Sequence, residues 1–149
     1  MPTLATNRTA RFNYEILETI EAGIVLSGDE VKSVRAGGMR LTESFVTFRG
    51  ERAMLTNAHI SRYAKSNPAV SYDPEHSREL LLHKSQILNL LGKKTRDGLT
   101  IVPLSAYTAK GRIKIEIGLA RGKKTIDKRD TIKRRESDRE VARAMKARR

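Results

Sequence analysis

Arg112-Ile113-Lys114-Ile115-Glu116-Ile117-Gly118-Leu119-Ala120 decides the fold. Ile113, Ile115, Ile117 and Leu119 fall on one side of an extended chain, and Lys114, Glu116 and Gly118 on the other. A period of two is the signature of a strand with one buried face. Leu99 to Tyr107 precede it, with Lys110-Gly111 between, so the two stretches read as a hairpin. Further upstream, Tyr14, Ile16, Ile20, Ala22, Ile24 and Leu26 alternate with Glu15, Glu21 and Val25 opposite them. That run reads as a strand pair or one long bent strand, with Gly23 marking a bulge or sharp bend. Val46 and Phe48, then Ala53 and Leu55, flank the turn Arg49-Gly50-Glu51-Arg52 and make another hairpin, from Phe45 to Ile60.

Helical signals lie between these strands. Ser27 is an N-cap for a short helix to Arg35, with Asp29 and Glu30 in its first turn and Lys32 and Arg35 toward its end. Val31 and Val34 give it an apolar side, and Gly37-Gly38 stop it. Leu80-Leu81-Leu82 enters a second helix, with Ser85 as N-cap, Ile87, Leu88, Leu90 and Leu91 as the apolar face and Gly92 as the stop. Tyr63 to Arg78, with Asn67-Pro68 and Asp73-Pro74, reads as an irregular exposed loop. The body is then five or six short strands with two or three short helices. Small antiparallel sheets close on themselves to remove their edges. The expected fold class is mainly β, a small oligonucleotide-binding (OB)-like antiparallel barrel.

Past Gly122 the alternation stops. The 29 residues from Arg121 to Arg149 hold 13 Lys or Arg and five Asp or Glu, most of the net charge of +13. They contain no Phe, Tyr or Trp, and Ile126, Ile132, Val141 and Met145 are their large apolar residues. Such a segment cannot build a core and takes its order from a polyanion. The expected organisation is a body over 1–122 and a basic tail over 123–149, disordered in solution. A membrane-binding tail would carry a bulky apolar stripe, which this one lacks, so nucleic acid is the favoured partner. Met1 to Asn7 shows no signal-peptide stretch, no run approaches the length of a membrane span, and there is no cysteine. The expectation is a soluble cytoplasmic chain with no membrane partner.

No catalytic constellation emerges. His59, His76 and His83 match no metal-ligand spacing, there is no nucleophile elbow, and Asp29-Glu30 reads as helix N-terminal charge rather than a carboxylate pair. No metal, cofactor or enzyme activity is expected, and a small hydrolase is the least supported class. Binding signals are better: Arg8 and Arg11 precede the first strand, Lys32 and Arg35 share a helix, and Lys93, Lys94 and Arg96 cluster.

Five ordered strings carry a resemblance. They are Ala10-Arg11 followed by Tyr14-Glu15-Ile16; Glu21-Ala22-Gly23-Ile24; Gly28 to Arg35; Leu80-Leu81-Leu82-His83-Lys84; and Gly118 to Lys124 leading to Asp127-Lys128-Arg129. Together they resemble the SsrA-binding (small protein B) family, bacterial partners of transfer-messenger RNA (tmRNA), over about Asn7 to Met145. The resemblance implies an OB-like six-stranded antiparallel closed barrel that binds the tRNA-like domain of tmRNA, one copy per tmRNA. It implies delivery to stalled ribosomes for trans-translation, with the tail entering the decoding centre and empty mRNA channel and becoming helical there. A general ribosomal or RNA-binding protein with a basic extension is the alternative, and it would bind tRNA or rRNA fragments as tightly as tmRNA.

The resemblance also implies site residues. Asn7, Glu21, Leu81 and Lys114 fall on RNA-contact positions, with Arg11, Lys32, Ser33, Arg35, His83 and Lys84 around them. Lys123, Lys124, Asp127, Lys128, Arg129, Lys133 and Arg134 fall in the ribosome-contacting segment, where the cations pair with phosphates. Four positions depart from the family pattern: Phe12-Asn13 replaces His-Asp or His-Glu, Ile126 stands where an aromatic or His is common, and Ser137 stands where some members have Trp.

Overall fold

A computed structural model of the chain describes residues 2–123. In chain order these form β1 (Thr3–Thr6), α1 (Arg8–Asn13), β2 (Tyr14–Ile24), α2 (Gly28–Arg35), β3 (Met39–Arg40), β4 (Phe45–Arg49), β5 (Arg52–Thr56), β6 (His59–Ile60), β7 (Arg78–Leu81), α3 (Lys84–Asp97), β8 (Thr100–Ala109) and β9 (Arg112–Gly122). Seven strands make one antiparallel sheet in the order β1-β8-β9-β2-β7-β5-β4, and β3 pairs with β6 apart from it. The described residues are thus mainly β with three helices. The main sheet has seven strands, against an expectation of six. Two of them are absent from the sequence reading: β1, too short and too poor in alternating bulky residues to announce itself and ordered by its pairing with β8, and β7, which takes Leu80 and Leu81 out of the expected helix, while Tyr14–Ile24 is one strand rather than a pair. At the other end of the sheet, β4 packs against β8 as well as pairing with β5.

Ile113, Ile115, Ile117 and Leu119 of β9 enter the main core, as the alternation dictates. They meet Ala53 and Leu55 of β5, Val46 of β4, Ile101 and Ala106 of β8, Val34 of α2 and Leu90 of α3. Toward its end β9 is buried on both faces, because α1 lies over the outer one. There Ala10, Val102, Leu104 and Ala120 form a second apolar cluster with Tyr14 and Ile16. Gly118 is therefore buried rather than outward: a Cβ on it would sit 3.1 Å from both Ile16 Cγ2 and Leu104 Cδ1.

One irregularity lets β2 serve both clusters. Ile16 pairs with Ala120 but Glu18 with Leu119, so Leu17 is an extra residue, 43% exposed. Before it Tyr14 and Ile16 face the α1 side; after it Ile20, Ala22 and Ile24 face the main core. A bulge exchanges the two faces of a strand. The bend lies at Leu17 and not at Gly23, which pairs regularly with both Lys114 and Leu81.

The helices are set by their ends. Ser27 and Glu30 form a capping box for α2: the Ser27 hydroxyl accepts from the Glu30 N–H (3.2 Å), and the Glu30 Oε1 accepts from the Ser27 N–H (3.1 Å). α3 differs from its sequence reading at both ends, with Ser85 inside the first turn rather than at the N-cap. Leu80 and Leu81 belong to β7, His83 is the N-cap, Gly92 lies mid-helix, and Gly98 in the left-handed conformation (φ 63°) closes it. Ile87 and Leu90 are buried, while Leu88 is exposed.

The stretch expected to be a loose exposed loop, Tyr63 to Arg78, is strapped down at its end. Arg78 is 2% exposed. Its guanidinium donates to Glu30 Oε2 (Nε, 3.0 Å), to the carbonyls of Ala58 and Pro74, and to the Tyr72 hydroxyl. Glu30 Oε2 also accepts from the Tyr72 hydroxyl (3.2 Å) and faces His76 Nε2 at 3.0 Å. Glu30 is thus part of the scaffold, while Asp29 beside it is exposed.

Candidate nucleic-acid interface

β9 lies between β8 and β2, and its register builds the outer face. Lys114 stands opposite Tyr107 on β8 and Gly23 on β2, and Gly23 stands opposite Leu81 on β7. One row therefore runs Tyr107, Lys114, Gly23, Leu81. The neighbouring row runs Ser105, Glu116, Glu21. Three residues separated by up to 93 positions in sequence, Glu21, Leu81 and Lys114, are thus brought into two adjacent rows.

Leu81 is 55% exposed, although Leu80 beside it is buried in the core. Its side chain lies across Gly23: a Cβ there would meet Leu81 Cβ at 3.2 Å and Cδ1 at 3.5 Å. The glycine leaves room for an apolar surface held against the sheet, in the same row as Lys114. A base face on the leucine and a phosphate on the lysine are the contacts such a pair can make.

Beside them Glu21 and Glu116 stand directly opposite one another. Like charges in that arrangement repel. Two groups relieve them. The Tyr107 hydroxyl donates a hydrogen bond to Glu21 Oε2, and Arg11 Nη2 lies 3.6 Å from Glu116 Oε1. Burial, the bond to Glu21 and the charges of Glu21 and Glu116 push the Tyr107 hydroxyl up to about 12, so it stays a donor at neutral pH. Sequence reading passed Tyr107 over. Its signal was its place opposite Lys114 in the hairpin.

On α2, Lys32 Nζ sits 5.5 Å from the centre of the Tyr63 ring, and Arg35 Nη2 donates to the Gly111 carbonyl (3.1 Å), tying the helix to the β8–β9 turn. His83 and Lys84 are exposed at the start of α3, with Lys84 Nζ 3.5 Å from Glu51 Oε1. Two expected contacts are interior instead. Ser33 is buried and its hydroxyl donates to the Ser61 carbonyl (2.5 Å). Asn7 is 4% exposed, with its Nδ2 donating to the carbonyls of Leu41 (3.2 Å) and Pro103 (2.9 Å) and its Oδ1 accepting from the Ala10 N–H and the Thr9 hydroxyl. With both its donors and its oxygen engaged, Asn7 caps α1 and ties it to β8; it offers RNA nothing directly. The Lys123 N–H donates to the Asn13 carbonyl (2.9 Å). Lys124, Asp127, Lys128, Arg129, Lys133 and Arg134 lie outside the described residues.

Among the described residues no group of three or more His, Asp or Glu could hold a metal ion, and no helix is long and apolar enough to cross a membrane.

Comparison with known proteins identifies the family. The family model described as SmpB protein matches residues 4–147. The chain belongs to the SmpB family. Its relatives include the SsrA-binding protein of Thermosynechococcus vestitus, 52% identical over 145 residues that cover 97% of this chain and 95% of that one. The SsrA-binding protein of Acaryochloris marina is 48% identical over 143 residues, covering 96% and 93%. Among solved SmpB structures, a chain from work on tmRNA-SmpB and the centre of the bacterial ribosome is similar with a TM-score of 0.68. It is 49% identical and the match covers 84% of this chain and 87% of that chain.

Proposed function

We propose that this SmpB-family chain binds the tRNA-like domain of tmRNA and delivers it to stalled ribosomes for trans-translation, the rescue of those ribosomes with tagging of their incomplete products. The observation that carries this reading is the convergence of Glu21, Leu81 and Lys114 on the outer face of β2, β7 and β9. An acceptor, an apolar platform and a cation side by side suit a folded RNA with unstacked bases. The SsrA-binding names of its relatives and the tmRNA-SmpB neighbour support the same partner. Arg11, Lys32, Arg35, His83 and Lys84 flank the face and extend it along the RNA backbone.

Residues 1–122 act as the RNA-binding body, an OB-like barrel completed where β4 packs on β8, and residues 123–149 act on the ribosome. In that segment Lys123, Lys124, Lys128, Arg129, Lys133 and Arg134, with Asp127, meet the decoding centre and the phosphates lining the empty mRNA channel. One copy serves one tmRNA, in the cytoplasm where ribosomes work, as an adaptor and not as an enzyme.

Separating the two halves tests the reading. A chain ending after Gly122 keeps its affinity for the tRNA-like domain and loses tagging on ribosomes stalled without a stop codon. If that truncation also loses the RNA, the division of labour is wrong. Lys114→Glu in the full chain does the reverse, weakening RNA binding about tenfold or more by placing an anion where a phosphate lies.

A further inference from the structure

Glu21 is an outward carboxylate whose geometry is fixed by a neutral donor. The Tyr107 hydroxyl reaches across β9 from β8 to Glu21 Oε2. Oε1 is then the oxygen left to accept from a ligand. Directly opposite, Glu116 would push the Glu21 carboxylate aside or draw a shared cation between them. Arg11, 3.6 Å from Glu116, and Tyr107, bonded to Glu21, separate the two instead.

Resting on the RNA-binding reading above, we propose that Tyr107 is a positioning residue for RNA recognition: it orients Glu21 so that the free carboxylate oxygen accepts from an N–H or O–H donor of an RNA base or ribose. The chemistry follows from the parts. A carboxylate is acceptor-only, so it repels phosphate and selects donors. A freely rotating exposed carboxylate loses side-chain entropy on binding, and a neighbour that fixes it beforehand removes that loss. Tyrosine suits the task because it remains protonated here and donates without adding charge. A Lys or Arg in its place would neutralise Glu21 and attract phosphate to the wrong spot.

The test compares full-length Tyr107→Phe, Glu21→Gln and the double variant for affinity to a transcript of the tRNA-like domain, across a range of salt. Tyr107→Phe keeps the ring, so its thermal midpoint stays within about 2–4 °C of the parent. Its affinity drops about five- to twentyfold, as expected for a lost hydrogen bond to a charged group. The slope of log affinity against log salt is unchanged, because no phosphate contact is removed. The double variant binds within about twofold of Glu21→Gln alone, since both changes disable one device. Parent affinity in Tyr107→Phe with weakened Glu21→Gln overturns the positioning role and leaves the RNA face standing. Parent affinity in both variants overturns the role together with the assignment of Glu21 to the interface. Fully additive losses overturn the coupling.

Discussion

Glu30 divides its two oxygens between a helix cap and a buried cation. Removing the cation alone, in Arg78→Met, strands a 5%-exposed carboxylate and costs about 3–5 kcal/mol in urea unfolding. Replacing both, Glu30→Gln with Arg78→Met, recovers part of that loss, because the pair itself is worth less than an orphaned charge costs. Burial pushes the Glu30 carboxyl up, but the Ser27 N–H, the Arg78 guanidinium and His76 outweigh it and hold it below its ordinary 4.5. The folded value is the lower one, so the stabilisation is complete above 4.5 and is lost as pH falls through the folded value. Urea midpoints therefore decline below about pH 4.5, and Glu30→Gln flattens part of that decline. Asn7→Ala costs about 1–3 kcal/mol as a lost cap and lost buried bonds, yet leaves the salt slope of RNA binding unchanged. The Ser27 cap was legible because caps are local, whereas Glu30 read only as helix N-terminal charge. The burial of Arg78 and Asn7 was not, because their partners lie 48 residues away at Glu30 and 96 away at Pro103.

Two glycines separate the observed α3 from its sequence reading. Gly92 is interior to the helix, and a Cβ added there would meet nothing within 4 Å, whereas Gly98 holds φ 63° at the helix end. Gly92→Ala therefore stabilises by about 0.5–1 kcal/mol, and Gly98→Ala destabilises by about 1 kcal/mol or more. Thermal unfolding that reversed these signs would return the helix end to Gly92. The β8–β9 hairpin was readable because its alternation runs unbroken through Ile113, Ile115 and Ile117. The triple leucine was not, since a short apolar run fits a strand or a helix equally and only pairing with β5 decides it. The bulge at Leu17 is hidden for a similar reason: an apolar residue inside a strand carries no mark of being the extra one, and only the switch of faces reveals it.

At the scale of the whole molecule, closure and charge are the testable properties. The proposed closure of β4 onto β8 predicts that the β4 amides exchange about as slowly as those of β5; fast exchange along β4 alone means an open edge. Ending the chain after Gly122 removes twelve Lys or Arg and five Asp or Glu. Affinity for ribosomes then loses most of its salt dependence, while affinity for the tRNA-like domain retains its own slope. The anchoring of Lys123 to Asn13, beside the pairing of Gly122 with Tyr14, has a mechanical meaning. The strand that leads out of the body is not an edge but an interior one, bonded along both flanks to β8 and β2. A pull on the chain beyond residue 123, along the strand axis, loads two ladders in shear at once instead of peeling one bond at a time. On the proposed function, such a strand joins cargo on the outer face to a grip at the chain's far end by a tether that resists tearing.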